Sequence, residues 1–396
     1  MNILHIIPSV AMESYGLGQV ALHLTKEQEI LNAKSAIWCL DRNSEINWAS
    51  KSTGIKMQNL INFTAIGPKR YGFSYKMEIE AKRNSSNYSI IHQHGIWTLQ
   101  SRLPILFKKS NSRIPIVVAP HGSLDSYAMK KSKLKKLIAF SLYENKNLRQ
   151  ANCLHAVGEN EITHFRDFGL KNPIAVIPNG ISLDNKVEKG DAEKFRKDFA
   201  IPINKRILLY LSRVTPKKGL PILIESISLN VDKFKDWLLV IVGDDEFGHK
   251  AELLKLINQR KLNNFIKFVG PLFDKDKLNA FYSAEIYVLP SHSEGAPVAI
   301  LEALASGLPV LTTKACPWKI LEAKKCGWWV EDNVVEISKA LNIAIGLSKH
   351  SLKEMGKIGK KLVLNNYNWQ NSAKMTIQLY EWLLGINQKP SFVVLD

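Results

Sequence analysis

Two carboxylates in a helix-forming run, Glu294 and Glu302, are the first residues of this chain whose placement suggests chemistry. Pro297 suits the opening turn of a helix, where its missing N–H costs nothing. Gly307 suits the stop. The spacing predicts a helix over 297–306, with Glu294 just ahead of it and Glu302 inside it. Free N–H groups at a helix start can hold a phosphate, and a carboxylate beside them can accept hydrogen bonds from sugar hydroxyls. A helix cap at Glu294 and a surface residue at Glu302 fit the same spacing.

A second constellation, Ser-Arg-Val-Thr-Pro-Lys-Lys-Gly over 212–219, directly follows a strand pattern. Its Arg213 and Lys218 flank a tight turn and open the next helix. A guanidinium offers phosphate oxygens a planar fork and an ammonium a point charge. The pair could neutralise a diphosphate leaving group without a metal; a solvated basic turn is the bland alternative. Near the N-terminus, Gly16 and Gly18 lie between a strand and a helix expected to begin near Gly18. Glycines there let the backbone approach a ligand closely. The run is not a G-x-G-x-x-G fingerprint, because Ala21 holds the last position, and no G-x-x-x-x-G-K-[ST] loop occurs.

Two histidine groups also follow strands. His92 and His94 could chelate a metal, but the sequence shows no third ligand. His121, after Val-Val-Ala-Pro, is better placed to reach a cleft and hydrogen-bond a sugar. Lys130, Lys131, Lys133, Lys135 and Lys136 open a predicted helix whose later part is apolar at Leu137, Ile138 and Phe140. This is either a solvated face or a dock for anionic lipid.

These residues need elements to hold them. Apolar strand patterns at 206–213, 237–244, 266–270, 285–290 and 309–313 alternate with helical patterns at 220–230, 250–259 and 275–284. Earlier strands are expected at 2–7, 35–40, 89–94, 115–119, 153–157 and 174–177, with a helix through 130–148. Near-continuous apolar strands alternating with helices predict parallel sheets covered on both faces. The fold class is therefore α/β, two doubly wound units in series facing across a cleft, with ligands outside the carboxyl ends of the strands. The boundary is expected between 184 and 203, giving domains 1–190 and 200–367. In the segment 368–396, a helix over about 369–384 is expected to pack back on the first domain, followed by a loosely held tail.

Composition agrees with a soluble globular protein, and length with two domains or three: 396 residues, 45% hydrophobic and 23% charged. No apolar run of about 18 residues exists to span a membrane, and the start lacks the basic segment of a signal peptide. Cys39, Cys153, Cys316 and Cys326 form no C-x-x-C pair, so reduced core cysteines in a cytoplasmic protein are expected. The net charge of +18 suits nucleic acid, an anionic membrane or an anionic small molecule. With no zinc spacing and no RNP-like aromatic strand, nucleic acid is not expected as a partner.

Taken together, the Glu-x7-Glu pattern from Glu294 to Glu302 with the following Ala-Leu-Ala-Ser-Gly-Leu-Pro-Val, the 212–219 turn, Val242-Gly243-Asp244, Ile177-Pro178-Asn179-Gly180 and Pro120-His121-Gly122 stand in the order found in the retaining glycosyltransferases of family 4. The chain resembles that family over nearly its whole length. The resemblance implies a GT-B fold of two Rossmann-like domains, the first for the acceptor and the second for a UDP- or GDP-linked sugar. It implies that Arg213 and Lys218 hold the donor diphosphate, Glu294 contacts the donor sugar and Glu302 the ribose. His121 would contact the sugar, Gly16 and Gly18 would line the phosphate end, Gly243 would belong to the donor site, and the backbone near Val269 would face the base. No metal and no cofactor beyond the donor are implied.

The family often has Gly-Asp-Gly where this chain has Gly243-Asp244-Asp245, an acidic residue where it has Ser182, and an aromatic where it has Ala296. These departures bear on the donor sugar. The expected function is transfer of a hexose-type sugar to a glycan or polyprenyl-linked oligosaccharide in bacterial cell-surface polysaccharide synthesis, lipopolysaccharide included. The place of action would be the inner face of the plasma membrane, reached through lysines 130–136. A nucleotide-sugar epimerase of similar fold is the first alternative; it would release nucleotide without a second substrate. A basic nucleic-acid-binding protein is the second.

Overall fold

The computed structural model describes residues 1–12, 15–181, 190–295 and 297–395. The chain divides into two compact units, Met1–Ser182 joined by Asn368–Asp396, and Leu183–Tyr367.

In the first unit lie β1 (Asn2–Ile6), β2 (Lys34–Cys39), β3 (Leu60–Asn62), β4 (Ile90–His94), β5 (Ile116–Ala119), β6 (Cys153–Ala156) and β7 (Ile174–Val176). The second unit holds β8 (Arg206–Leu211), β9 (Trp237–Val242), β10 (Ile266–Gly270), β11 (Ile286–Leu289), β12 (Val310–Thr313) and β13 (Gly327–Val330); the chain then returns to add β14 (Val393–Val394) to the first. Sheet order is β14-β7-β6-β5-β4-β1-β2-β3 in one unit and β10-β9-β8-β11-β12-β13 in the other. Among the described residues every strand pairing is parallel except β14 on β7. Strands such as Trp237–Val242 are buried on both faces, as a helix-covered parallel sheet requires.

Each sheet reverses its order once, between β1 and β4 and between β8 and β11. Such a switch point opens a crevice at the carboxyl ends of the strands. The helix Trp369–Leu383 packs against Tyr15–Ile30 and the first sheet, where Leu379 and Tyr380 join Ile3, Ile90 and Val117 in one core. The tail is not loose: Val393 is buried in that core and pairs with Ala175.

Three local expectations change. The helix expected through 130–148 is broken. Lys130 ends a short helix, Ser132 turns left-handed at φ 54°, Lys133–Ala139 restarts, and Phe140–Glu144 continues as a π-turn. The first long helix begins at Tyr15, so Gly16 and Gly18 sit in its opening turn rather than in a loop. Pro297 is the cap residue of Val298–Ala305, one place before the first turn. All four cysteines are free and buried. No helix among the described residues is long and apolar enough to cross a membrane.

Candidate active site

The second switch point carries the carboxylate and one of the two cations. Ser212 is tied to β9 by its N–H on Val242 O, and Val214 donates to Asp244 O. Two glycines let the turn fit. A Cβ on Gly243 would stand 1.9 Å from Ser212 O, and one on Gly219 would stand 1.9 Å from Pro290 O. Gly219 also turns left-handed at φ +70°, a conformation glycine adopts without penalty. The turn after β8 is thereby pressed against the loop after β11.

That contact joins Lys218 to Glu294. Lys218 Nζ lies 2.5 Å from Glu294 Oε1, and the Ser291 hydroxyl donates to the same oxygen at 2.7 Å. Both residues are 9% exposed. Glu294 is held from behind by its N–H on Ala315 O, and Ser291 by Thr313, whose hydroxyl donates to Ser291 O at 2.5 Å. Glu294 is not a helix cap. A charged pair this enclosed, at a helix opening, is suited to exchange its mutual attraction for a phosphate and a hydroxyl.

Arg213 is placed differently. Its side chain is half exposed, and Nη1 holds Glu246 at 2.9 Å. Tyr210 anchors the base of the turn by donating to Arg213 O at 2.7 Å. Glu302 pairs with Lys277 from the neighbouring helix Asp274–Ser283 at 2.6 Å. Gly243 follows β9 directly, and Val269 falls where the β9–β10 ladder skips from Phe268 to Gly270. Such a bulge takes one residue's main chain out of the ladder. Ala296 lies outside the described residues, as does Ser182.

In the first unit, strand pairing assembles a group that the sequence did not show. His5 of β1 comes beside His92 and His94 of β4, and His121 and His155 follow. Ring nitrogens of His5, His92 and His94 lie within 4.8 Å of one another, so the missing third histidine exists. The lone pairs are nevertheless engaged. His5 bonds His94 and Gln28, His94 bonds His5 and His121, and His92 bonds Tyr380 and His155. A metal would have to break these bonds in a buried place with no carboxylate in the set. Burial pushes His5 and His155 down to about 4 and His121 to about 3, with His92 and His94 well below the ordinary range.

Two buried acids that sequence reading missed hold the loops here. Glu161 accepts from the N–H groups of Gly122 and Val157 and is raised by burial to about 7. Glu144 accepts from Trp97 N–H at 2.8 Å, and burial raises it too. Both left their only sequence trace as acids inside helical, mostly polar stretches. His121 itself is left-handed, at φ 50°.

Two doubly wound parallel-sheet domains make up the GT-B architecture. Residues 191–362 match the model for glycosyl transferases group 1 and residues 16–185 that for glycosyltransferase family 4, and the chain belongs to this family-4 type. The GDP-mannose:cellobiosyl-diphosphopolyprenol alpha-mannosyltransferase of Xanthomonas campestris is 23% identical over 97% of this chain and 98% of its own. Protein CapJ of Staphylococcus aureus is 31% identical over 45% of this chain and 44% of its own. The fold is also that of Anabaena Alr3699/HepE in complex with UDP and glucose, with TM-score 0.73 and 18% identity over 96% of this chain and 100% of that one. These matches favour the glycosyltransferase over the epimerase alternative.

Proposed function

We propose that this glycosyltransferase moves a hexose-type sugar, with retention and without a metal, from a UDP- or GDP-linked donor to a glycan or polyprenyl-linked oligosaccharide. The observation that carries the reading is the buried Lys218–Glu294 pair at the second switch point. Lys218 and Arg213 stabilise the diphosphate as it departs, since charge stabilisation is usually the largest catalytic term. Glu294 accepts hydrogen bonds from the donor sugar, and Glu302 from the ribose. Gly243 lines the donor site, Val269 offers its main chain to the base, and Gly16 and Gly18 give the phosphate end a helix N-terminus without side chains. His121 takes a sugar hydroxyl. The acceptor oxygen bonds the anomeric carbon on the face that the phosphate leaves, and the leaving phosphate oxygen takes the acceptor proton.

The printed name of the Xanthomonas relative supports a lipid-linked acceptor. So does the surface at 130–142, where Leu134, Leu137, Ile138 and Leu142 are all more than half exposed beside Lys130, Lys133 and Lys135. An apolar stripe edged with lysine fits the interface of an anionic bilayer. We place the enzyme there, on the inner face of the plasma membrane, in cell-surface polysaccharide synthesis.

The experiment is a panel of UDP- and GDP-hexoses with polyprenyl-diphosphate oligosaccharides, chelator present, and the product anomer determined. Transfer from an α-linked donor into an α-linked product is expected. A β-linked product overturns retention, and loss of activity on chelation overturns the metal-free route.

A further inference from the structure

The histidines behind His121 have one self-consistent proton arrangement. Thr376 donates its hydroxyl to Ala373 O at 2.8 Å, so its oxygen accepts from Gln28 Nε2 at 3.0 Å. This orientation turns Gln28 Oε1 toward the Ser35 hydroxyl and His5 Nε2, both at 2.9 Å. A carboxamide oxygen only accepts, so His5 carries its proton on Nε2 and accepts at Nδ1. His94 must then donate from Nε2, at 2.8 Å, and accept at Nδ1 from His121 Nε2, at 3.1 Å. The neighbouring branch closes in the same sense. Ile177 O fixes the His155 proton on Nε2, His92 Nε2 donates to His155 Nδ1, and the Tyr380 hydroxyl donates to His92 Nδ1. In each ring, the bond made by one nitrogen sets the state of the other.

We propose that Gln28, through His5 and His94, fixes the tautomer of His121, so that His121 presents its Nδ1 lone pair and recognises a sugar hydroxyl rather than a phosphate or a carboxylate. The ligand half of this rests on the reading that His121 meets a sugar. A lone pair accepts from O–H and repels an anionic oxygen. The imidazolium that would welcome an anion is opposed by burial and by the ring of His155. The chain ends on an amide, which has no proton affinity comparable to a carboxylate. It therefore acts as a lock on His121 and not as an exit for protons. Gln28 is a positioning residue, three hydrogen bonds from His121.

The test is nitrogen-15 NMR of histidine-labelled full-length protein at neutral pH, where protonated and bare ring nitrogens have distinct shifts. His5, His94 and His121 should each show Nε2 protonated and Nδ1 bare. Gln28→Leu should mix the His121 tautomers from a distance, and His94→Phe from next door, with circular dichroism unchanged. An Nδ1-protonated His121 in the wild type, or a His121 titrating in the ordinary histidine range, overturns the lock. An unmoved His121 pattern in both folded variants does so too. If neither variant folds, the wild-type pattern alone decides. Full transfer activity in His121→Ala, with the expected pattern in the wild type, removes the hydroxyl recognition and leaves the lock.

Discussion

Lys218 and Glu294, on turns that follow two different strands, are each other's charge partner at 2.5 Å with almost no solvent between them and the core. Such a pair ties the chemistry to the folding of its domain. Removing one member leaves the other buried and uncompensated, at roughly 3–5 kcal/mol. Lys218→Met and Glu294→Gln should each lower the unfolding free energy of the second domain, and the double variant should cost less than their sum. Denaturant unfolding in a double-mutant cycle measures this. Additive losses would show that the pair is not coupled. Turnover of each folded variant should fall by about 10²-fold or more.

Arg213→Ala should separate activity from stability. Its partner Glu246 is on the surface and the pair is half exposed, so stability should change by about 0–1 kcal/mol, while turnover falls by about 10²-fold. Steady-state kinetics alongside thermal melts decides. Near-normal turnover would take Arg213 out of the diphosphate site. Glu302→Ala, which frees Lys277 at a partly exposed position, should raise KM for the donor with kcat little changed.

Gly219 and Gly248 give a controlled comparison. Both are left-handed, at φ +70° and +73°, but a Cβ meets Pro290 O at Gly219 and nothing within 4 Å at Gly248. Gly248→Ala should cost only the backbone penalty, about 1–2 kcal/mol. Gly219→Ala should cost more and also lower activity, because the turn must lift away from the loop that holds Glu294. Equal melting temperatures for the two variants would contradict the contact.

Stability of the first domain should fall in mild acid. Burial holds His5 and His155 near 4 and His121 near 3, against 6.5 for a free histidine. The unfolded chain binds more protons below pH 6.5, so the stability present above that value is lost as pH falls toward about 4. Each such group contributes at most about 1.4 kcal/mol per pH unit inside the window. Glu161 acts in the opposite sense. Raised from 4.5 to about 7, it contributes stability that is present below 4.5 and lost as pH rises through 7, offsetting one histidine between 4.5 and 6.5. Unfolding free energies at the two ends of that range should differ in favour of the higher pH, and Glu161→Gln should steepen the difference. A domain more stable at the acid end would refute the neutral histidine chain.

The surface helix makes a separable prediction. Leu134 and Leu142 are 70% and 74% exposed. Changing both to Ser should weaken binding to anionic vesicles without altering the fold, and added salt should weaken it further by screening. Lys136 contributes little to this, because its ammonium donates to Ala128 O and lies over the Trp97 ring. Equal binding to neutral and anionic vesicles would rule out the lysine contribution.

The second domain is more legible than the first because most of its strands are apolar runs that alternate regularly with helical patterns, and the limits of β10 at 266 and 270 are readable outright. β14, at two residues, is too short to carry a pattern, and β3, at three, ends on the polar Asn62 where the equally short β7 is apolar throughout. β13 begins on a glycine, Gly327, whose neighbour Val310 leaves no room for a Cβ. The break at Ser132, which lies in an exposed stretch, is invisible in a run of good helix formers. Position after a strand marks both Lys218 and Glu294, but their pairing is a product of the β8–β11 adjacency. His5 could not be joined to His94 from sequence either, because only the parallel register of β1 on β4 sets them side by side.

The helix Trp369–Leu383 and β14 bear on how the chain is made. Ribosomes release about 5–20 residues each second. Residues 183–367 therefore take on the order of ten to forty seconds to emerge. The second domain, an uninterrupted stretch, can fold in that interval. The first cannot finish: the face formed by Ile3, Ile90, Val117 and Ala175 waits for Leu379, Tyr380 and Val393 to cover it, and the edge of β7 waits for β14. The inserted domain is thus completed before the one synthesised ahead of it, and in the meantime the nascent chain exposes an apolar sheet face and an unpaired strand edge.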